Sequence, residues 1–404
     1  MAEKKLFQNF GNKLKNLTKK NSFNVFTSVL LSIILGLLVG LIVLLISNPR
    51  YAFPAFGGIL AGAFGDPNSL LLGIGDLLFY ATPILLTGLA VGFAFKTGLF
   101  NIGASGQFMV GQYASLMLAF YGTRLGGIQW IIALLFGMLA GALWGFIPGF
   151  FKAILNVNEV ITSIMFNYIA LYLTNMLIIG NPVIFNTQRH ETYNIPAQTF
   201  LPRLGLDKIF PGSKADIGIF IAIIVAILIN IILNRTAFGF ELKACGYNRH
   251  ASRYAGINEK KSIILSMVIA GALAGLGGAL KMLAPGAYGV GSTLAAEEVI
   301  ASEGFSGIPV ALLGLSNPIG IIFSTLFITH IQRGGFYVQS LIMIEIIDII
   351  TAIIIYFSAF ALVFRMWIAR RLQRRKVHTD LARENSAVID VIPLHKNQEE
   401  DHNG

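Results

Sequence analysis

The chain has 404 residues, of which 55% are hydrophobic and only 12% are charged, and its mean hydropathy is +0.71. Soluble domains carry about 25% charged residues, so this composition excludes an ordinary soluble protein and indicates a membrane protein. The formal net charge is +10, but the basic residues lie in short segments between apolar runs, which is typical of membrane topology and does not predict nucleic acid as a partner.

The first apolar run, 24–47, follows a basic N-terminal segment, 1–23, that contains six lysines. The run is too long for the core of a signal peptide and lacks a small-residue cleavage site, so we interpret it as a retained first span. About 20 apolar residues cross a bilayer as a helix. By that measure further spans are predicted, in chain order, at 70–95, 103–121, 128–151, 158–180, 216–233, 261–283 and 340–364.

The apolar stretch 304–332 is interrupted by Pro309, Gly314 and the sequence "SNP" at 316–318. It predicts either two short helices or a re-entrant hairpin, because irregular backbone at membrane depth is tolerated only inside protein. Counted as a pair, it brings the total to about ten crossings. The predicted fold is therefore an all-α polytopic membrane protein with a transmembrane domain over 24–364. The polar tail, 365–404, is expected to be disordered from about residue 377.

Lysine and arginine are distributed unevenly between the two sides of this topology. With the N-terminus inside, the cytoplasmic segments hold 22 of the 30 basic residues, whereas the outer loops 48–69, 121–127 and 181–215 hold six. This asymmetry predicts that both termini and the segment 240–257 are cytoplasmic. The outer loop 181–215 contains four prolines and is expected to cover the outer mouth of the protein.

Several predicted spans carry glycines at intervals of four residues, which places them on one helix face. They are Gly36, Gly40, Gly137, Gly141, Gly145, Gly149, Gly271 and Gly275. Small residues allow helix backbones to approach closely in lipid, where there is no hydrophobic drive for association. We therefore interpret these glycines as packing positions and not as ligand contacts.

The sequence lacks the motifs of common enzymes and metal sites. It contains no P-loop, no H-E-x-x-H motif, no paired-cysteine motif and no recognisable nucleophile–base set, and its six histidines are scattered. We therefore expect no catalytic residue and no metal site in this chain. The single cysteine, Cys245, also excludes a disulfide framework.

Carboxylates are sparse in the predicted spans. The candidates are Asp76, Glu159, Glu345 and Asp348. All four are expected near span ends, since a charge at the membrane centre costs about 2.5–3.5 kcal/mol. An ion-coupled transporter usually keeps such groups near the midplane, so this class remains an open but weak alternative.

A basic segment, "FELKACGYNRHASRYAGINEKK", lies between the spans 216–233 and 261–283. As a single helix, 240–257 would be about 27 Å long. Its small, partly aromatic face would consist of Ala244, Tyr247, Ala251, Tyr254 and Ala255. This face predicts a contact surface for a protein partner, and a solvated amphipathic loop is the alternative.

Residues 239–258, "GFELKACGYNRHASRYAGIN", resemble the coupling-helix loop of ABC-transporter permeases of the branched-chain amino acid and simple-sugar class, with Ser252 in place of a usual alanine. The segments "TGLFNIGASGQFMVGQYAS" (97–115) and "EGFSGIPVALLGLSNPIG" (303–320) are similar to the early and late signatures of that family. "NEVITSIMFNYIALYL" (158–173) resembles the branch that includes bacterial nucleoside permeases. The resemblance covers about 70–350.

The resemblance implies a permease subunit of an ATP-driven nucleoside importer in the bacterial plasma membrane. It implies a second, related permease, two cytoplasmic ATPase subunits and an extracytoplasmic solute-binding lipoprotein as partners. ATP would be used by the ATPase subunits, and no cofactor is expected on this chain. The coupling contacts would lie at Glu241, Ala244, Gly246, Asn248, Ala251 and Gly256. A sugar permease, an ion-coupled transporter and a membrane scaffold remain alternatives.

Polar or aromatic residues at helix breaks are the candidates for the translocation pathway. Asn101, Ser105 and Gln107 lie near the predicted break in "FNIGASGQ", and Asn167 lies mid-span in 158–180. Phe305 begins a predicted break at "GFSG", where its ring could stack on a base. Hydrogen bonds between helices, and core packing for Phe305, are the alternative roles.

Overall fold

The computed structural model describes residues 21–66, 69–360 and 366. The disordered tail predicted from about residue 377 and the lysines of the N-terminal segment lie outside these residues. The long helices are α1 (Asn21–Ser47), α3 (Leu70–Lys96), α4 (Ala104–Tyr121), α5 (Gln129–Leu155), α6 (Glu159–Ile179), α7 (Gly218–Arg235), α10 (Glu259–Leu283) and α12 (Pro318–Tyr337). The shorter helices are α2 (Ala52–Ala61), α8 (Ala237–Tyr247), α9 (Arg249–Tyr254), α11 (Ser302–Leu313) and α13 (Ile344–Ala359).

The remaining regular structure is small. Strands β1 (Phe185–Asn186) and β2 (Glu191–Thr192) pair antiparallel within the predicted outer loop 181–215. One helical turn, Leu206–Ile209, follows them. Four 3₁₀ turns complete the regular structure of the described residues: Gly62–Gly65, Thr123–Ile128, Ala197–Thr199 and Ala287–Gly289.

The chain forms two compact units. In the first, Met1–Gly36 with Tyr356–Gly404, the described residues form the beginning of α1 and the end of α13. The second, Leu37–Ile355, contains the rest of the described chain. All contacts and cavities considered below lie within this second unit.

Within the described ranges, six helices are long and apolar enough to cross a membrane, or seven if the bent pair α11–α12 counts as one span. The six are α1, α3, α5 with its preceding 3₁₀ turn, α6, α7 and α10. The predicted helical membrane architecture is therefore confirmed. The prediction of ten crossings also counts α4, which carries buried Gln107 and Gln112, and α13, which has 16 residues, so that number stays a prediction.

The loop prediction for 48–69 was wrong in part, because α2 and a 3₁₀ turn occupy most of it. One face of α2 buries Ala52, Ala55 and Ile59 in a cluster that includes Ile331 of α12 and Ile347 of α13. The apolar run is only ten residues long, too short to be recognised as a span. This packing makes α2 part of the helical core.

The helices α4, α5 and α10 cross in backbone contact through the predicted glycine files. A Cβ atom built on Gly141 would lie 2.6 Å from the Cα of Gly275, and one built on Gly145 would lie 3.0 Å from the Cα of Gly271. Gly111 of α4, which the four-residue spacing did not identify, would place its Cβ 2.5 Å from the Cα of Gly275. The packing role predicted for Gly141, Gly145, Gly271 and Gly275 is confirmed.

The helices α11 and α12 are bent by 119° at the break 314–317. Leu315 and Ser316 have positive φ angles of 53° and 52°, and the Asn317 side chain accepts hydrogen bonds from the first amides of α12. The 12 residues of α11 make a helix about 18 Å long, shorter than a hydrocarbon core of about 30 Å. A helix of this length cannot cross alone, so two crossings require the preceding segment 284–301 to complete the first one, and both forms of the predicted pair stay predictions.

The predicted break at "GFSG" around Phe305 was wrong, because these residues lie inside α11. Gly304 packs on the backbone of Ser105, and a Cβ on Gly307 would lie 2.5 Å from the carbonyl carbon of Thr87. The two glycines therefore provide close helix contacts and not a turn. Phe305 is partly exposed on the helix between them.

Asp216 lies two residues before α7, so it lies outside the helix Gly218–Arg235 that could cross the membrane, although the predicted span 216–233 included it. The side chain is almost fully buried, and its Oδ1 accepts a hydrogen bond of 2.6 Å from the Gly218 N–H. Burial raises the pKa of this carboxyl from 3.8 to about 7, against the opposing effects of the Gly218 N–H and the positive charge of Arg203.

Asp216→Asn should make the protein more stable at pH 8. A raised folded-state pKa favours the protonated form, so the contribution of Asp216 is complete below about pH 4 and is lost as the pH rises to about 7. Asparagine keeps the acceptor oxygen and cannot ionise. We expect a gain of up to about 4 kcal/mol at pH 8 and little difference near pH 4.

Thermal melting of the detergent-solubilised protein between pH 4 and pH 8 measures this difference. Asp207→Asn is the matched control, since Asp207 is exposed, and its profile should follow that of the wild type. A constant offset between Asp216→Asn and wild type at all pH values would contradict the prediction.

Candidate functional site

The connection between α7 and α10 forms two helices, so the expectation of one 27 Å rod was wrong. Asn248 separates α8 from α9 with extended backbone angles (φ −157°, ψ 107°). Its Oδ1 accepts a hydrogen bond of 3.0 Å from the Ala251 N–H, which makes it the N-cap of α9. Gly256 lies beyond α9 and has a φ of 81°.

The two faces of this connection differ in exposure. Tyr247 and Tyr254 are 91% and 95% exposed, and Ala251 is exposed between them. Cys245 is only 3% exposed. Of the predicted coupling residues, Glu241, Asn248, Ala251 and Gly256 are exposed, whereas Ala244 and Gly246 are half-buried.

Gly246 seats α8 against the turn that follows α3. A Cβ atom on Gly246 would lie 2.8 Å from the carbonyl oxygen of Lys96 and 2.9 Å from the amide nitrogen of Gly98. A cavity of about 270 Å³ beside it is also lined by Lys243 and Asn317. The connection therefore contacts the end of α3 and shares a cavity with the break between α11 and α12.

Four of the predicted pathway residues form a buried polar cluster at the break between α3 and α4. Asn101 and Gln107 exchange reciprocal amide hydrogen bonds of 2.8 and 3.1 Å. Asn167 of α6 accepts from the Gly106 N–H at 2.8 Å and donates to the Ile102 carbonyl at 3.0 Å. The Ser105 hydroxyl has no hydrogen-bond partner among the described residues.

This cluster closes the break, since paired amides satisfy backbone and side-chain groups that are shielded from water. Asn101, Ser105, Gln107 and Asn167 are each at most 1% exposed. Neither they nor Phe305 line the cavities described here. Their contact with a solute stays a prediction, and the structure shows the hydrogen bonds between helices that were its alternative.

Three cavities meet at Lys281, near the end of α10. Cavity A, about 330 Å³, extends past Gln112 and Asn175. Cavity B, about 440 Å³, extends past Tyr80 and Thr329. Cavity C, about 500 Å³, is also lined by Tyr80 and Gln112. Each has a size typical of small-molecule sites, about 300–1,000 Å³.

Lys281 forms an ion pair with Glu303 at the start of α11, and its Nζ lies 5.9 Å from the centre of the Phe108 ring. Glu303 lines cavities A and B. The carbonyl of Glu303 accepts a hydrogen bond of 2.7 Å from the Thr87 hydroxyl of α3. This bond and the packing of Gly304 hold the carboxylate in place.

This ion pair was not predicted from the sequence, where Glu303 was only the first residue of a signature segment. Lys281 is the single charged residue in the apolar run 262–283, which was a usable signal because a charge within a span usually has a partner. The partner could not be identified, since an irregular segment, 284–301, separates the two residues along the chain.

Two of the four candidate carboxylates form ion pairs within the described residues. Asp76 forms an ion pair of 3.2 Å with Arg333, and Glu159 forms one of 2.8 Å with Lys152. The guanidinium of Arg333 also lies 4.8 Å from the ring centre of Tyr80. Asp348 lines cavity B, and Glu345 is exposed.

Comparison with known proteins finds a family and several relatives. Residues 73–359 match the family described as "branched-chain amino acid transport system / permease component". The guanosine ABC transporter permease protein NupP of Bacillus subtilis is 39% identical over 312 residues, 76% of this chain and 85% of that protein. The nucleoside ABC transporter permease protein NupB of Lactococcus lactis is 38% identical, over 74% and 82% of the two chains.

A more distant relative is named for a different solute. The glucose ABC transporter permease protein TsgB13 of Haloferax volcanii is 31% identical over 303 residues, 70% of this chain and 75% of that protein. No solved structure matches the chain significantly.

Proposed function

This chain belongs to the family of permease components of branched-chain amino acid transport systems, and we propose that it is the membrane-spanning subunit of an ATP-driven nucleoside importer. The observation that carries the solute class is the similarity to the guanosine permease NupP over 85% of that protein. The resemblance of 158–173 to the nucleoside branch agrees with it. A simple-sugar importer is the second candidate, because the glucose permease TsgB13 is also a relative.

The proposed importer lies in the bacterial plasma membrane. We assign this chain ten crossings in total, counting α11 and α12 as a pair, with both termini and the connection α8–α9 in the cytoplasm, as the distribution of lysine and arginine predicts. The partners are a related second permease, two ATPase subunits and an extracytoplasmic solute-binding lipoprotein. Two relatives from Bacillus subtilis, NupP and NupQ, are both named as guanosine ABC transporter permease proteins, which supports the second permease.

In the proposed mechanism, the ATPase binds the exposed surface of α8 and α9. ATP would be bound and hydrolysed on that partner, and this chain would hold no cofactor. The seat of Gly246 on the turn after α3, and the shared cavity with Asn317, provide contacts through which a displacement of α8 would reach α3 and the α11–α12 break. The solute would pass between the two permeases when these helices shift.

Uptake of labelled guanosine by cells that produce the complete transporter tests the function. We expect uptake that unlabelled nucleosides inhibit and that ribose or glucose does not. Uptake should stop when the ATPase subunits carry a P-loop lysine substitution, and it should persist when a protonophore is added while ATP is maintained. Inhibition by ribose or glucose alone would favour the sugar importer, and uptake without the ATPase would contradict both.

A further inference from the structure

We propose that Glu303, held in place by Lys281, is the group that binds the sugar hydroxyls of the solute, in a chamber formed by cavities A, B and C. This assignment rests on the proposed function and identifies its recognition residue. It differs from the pathway predicted from sequence, in which Asn101 and Gln107 bond to each other and Asn167 bonds to the backbone of Gly106 and Ile102.

The chamber lies at membrane depth. The Glu303 carbonyl accepts a hydrogen bond from the Thr87 hydroxyl. Thr87 lies nine residues before Lys96, the last residue of α3, which is about 14 Å along the helix. That distance is near half of a hydrocarbon core of about 30 Å. The segment 284–301 must therefore descend to this depth without forming a long helix. Irregular backbone is tolerated there only if it is buried in protein or lines a water-filled cavity, and residues of this segment line cavities A and C.

The charges around the chamber are mostly compensated. Lys281 is paired with Glu303, and Arg333 is paired with Asp76. The other charged residues that line it are Lys214, Glu297 and Asp348, so its three cations are matched by three carboxylates and there is no excess of positive charge. Its uncharged polar side chains include Gln112, Thr174, Asn175, Thr293, Ser302, Ser306, Thr329 and Gln332. A phosphate would require cations that are free to bind it. Amides and hydroxyls instead suit a neutral solute with many hydroxyl groups.

Glu303 retains capacity to bind such a solute. Its Oε1 is bonded to Lys281, and the described residues provide no hydrogen bond to Oε2. A carboxylate accepts hydrogen bonds at both oxygens, so it can receive the two neighbouring hydroxyls of a ribose. The buried Thr329 hydroxyl, which lines cavity B, also has no hydrogen-bond partner in the described part of the chain.

An aromatic wall separates two of the cavities. Phe79 and Tyr80 line both B and C, with their ring centres 4.9 Å apart, and the Lys214 Nζ lies 5.6 and 5.7 Å from these two ring centres. Aromatic faces stack on flat heterocycles. The chamber thus offers a stacking surface for a base and a carboxylate for a sugar, which fits a nucleoside better than a free sugar.

Glu303→Gln in the complete transporter tests the inference, with guanosine and 2′,3′-dideoxyguanosine as the two solutes. A hydrogen bond to a charged group contributes enough to change affinity about 10- to 100-fold. We expect the apparent KM for guanosine uptake to rise by that factor. The KM for the dideoxy analogue, which has no hydroxyls at these positions, should change less than about threefold. A role of Glu303 in structure alone would affect both solutes equally.

Glu159→Gln is the matched control, because it removes another lysine–glutamate pair, Lys152–Glu159, that lines none of the three cavities. In Glu159→Gln, the ratio of the guanosine KM to the dideoxyguanosine KM should equal that of the wild type. If Glu303→Gln does not assemble, Glu303→Asp keeps the charge and shortens the side chain, and it should also raise the ratio of the guanosine KM to the dideoxyguanosine KM.

Different results would contradict the assignment of Glu303 and the proposed nucleoside function. A wild-type transporter that takes up guanosine, with an unchanged KM ratio in the Glu303 variants, would overturn the assignment of Glu303 and leave the nucleoside function intact. A wild-type transporter that takes up neither nucleoside would contradict the proposed function and this inference together.

Discussion

Replacing Gly275 with valine should prevent the protein from forming a stable, monodisperse species. Even the Cβ atom would lie 2.5 Å from the carbonyl oxygen of Gly137 and 2.8 Å from the Cα of Gly141. These are backbone atoms of α5, so no side-chain rotation relieves the overlap, and α5 and α10 must separate. Overpacking a core costs about 1–3 kcal/mol of folding stability. Valine adds a Cβ atom, which already overlaps the backbone, and two methyl groups, so we expect a loss of at least about 3 kcal/mol.

Thermal melting and size-exclusion chromatography in detergent measure the effect. Gly57→Val is the matched control, because a Cβ atom at Gly57, also within a helix, has no neighbour within 4 Å. We expect the control to melt close to the wild type and Gly275→Ala to be intermediate. A Gly275→Val protein that melts like the control would show that the helices do not cross at this glycine.

The same crossing shows why much of the fold could be predicted from sequence. In lipid, close helix contact requires small residues at a fixed spacing, and Gly141 and Gly275 obey that spacing on their own helices. The lengths of the apolar runs likewise fix where α3 and α10 begin and end to within a few residues. These signals are local, because each is contained within one helix.

Features that depend on contacts between distant residues were not predictable in the same way. The break at Asn248 was missed because the small residues continue at helical spacing on both sides, although asparagine is a common N-cap. Gly304 and Gly307 were interpreted as a helix break. Their role as packing contacts is visible only from Ser105 and Thr87, which are distant along the chain.

The site was predicted less completely than the fold for the same reason. Asn101 and Gln107 were chosen as residues at a helix break, but their reciprocal hydrogen bonds appear only in three dimensions. Glu303 became a candidate only because α11 begins beside Thr87 and brings the carboxylate to Lys281. No pattern within a single segment contains that information.

The effect expected to be next largest is on coupling to the ATPase. Ala251→Trp should lower guanosine uptake by about tenfold or more, equivalent to about 1.4 kcal/mol, without changing the melting temperature. Ala251 is exposed between Tyr247 and Tyr254, so a large side chain there obstructs a partner and not the fold. A substitution at Gly246 would be less informative, since that residue is seated on the turn after α3.

Ala237→Trp is the matched control: Ala237 is an exposed alanine of the same connection, at the start of α8 and outside the predicted contact residues. It should retain uptake. Cysteine cross-linking provides an independent measurement, because the native Cys245 is buried and a cysteine introduced as Tyr254→Cys would react selectively. We expect this cysteine to capture an ATPase subunit in membrane vesicles. Normal uptake in Ala251→Trp, with no captured subunit, would mean that α8 and α9 form a solvated loop and that any ATPase acts on another surface.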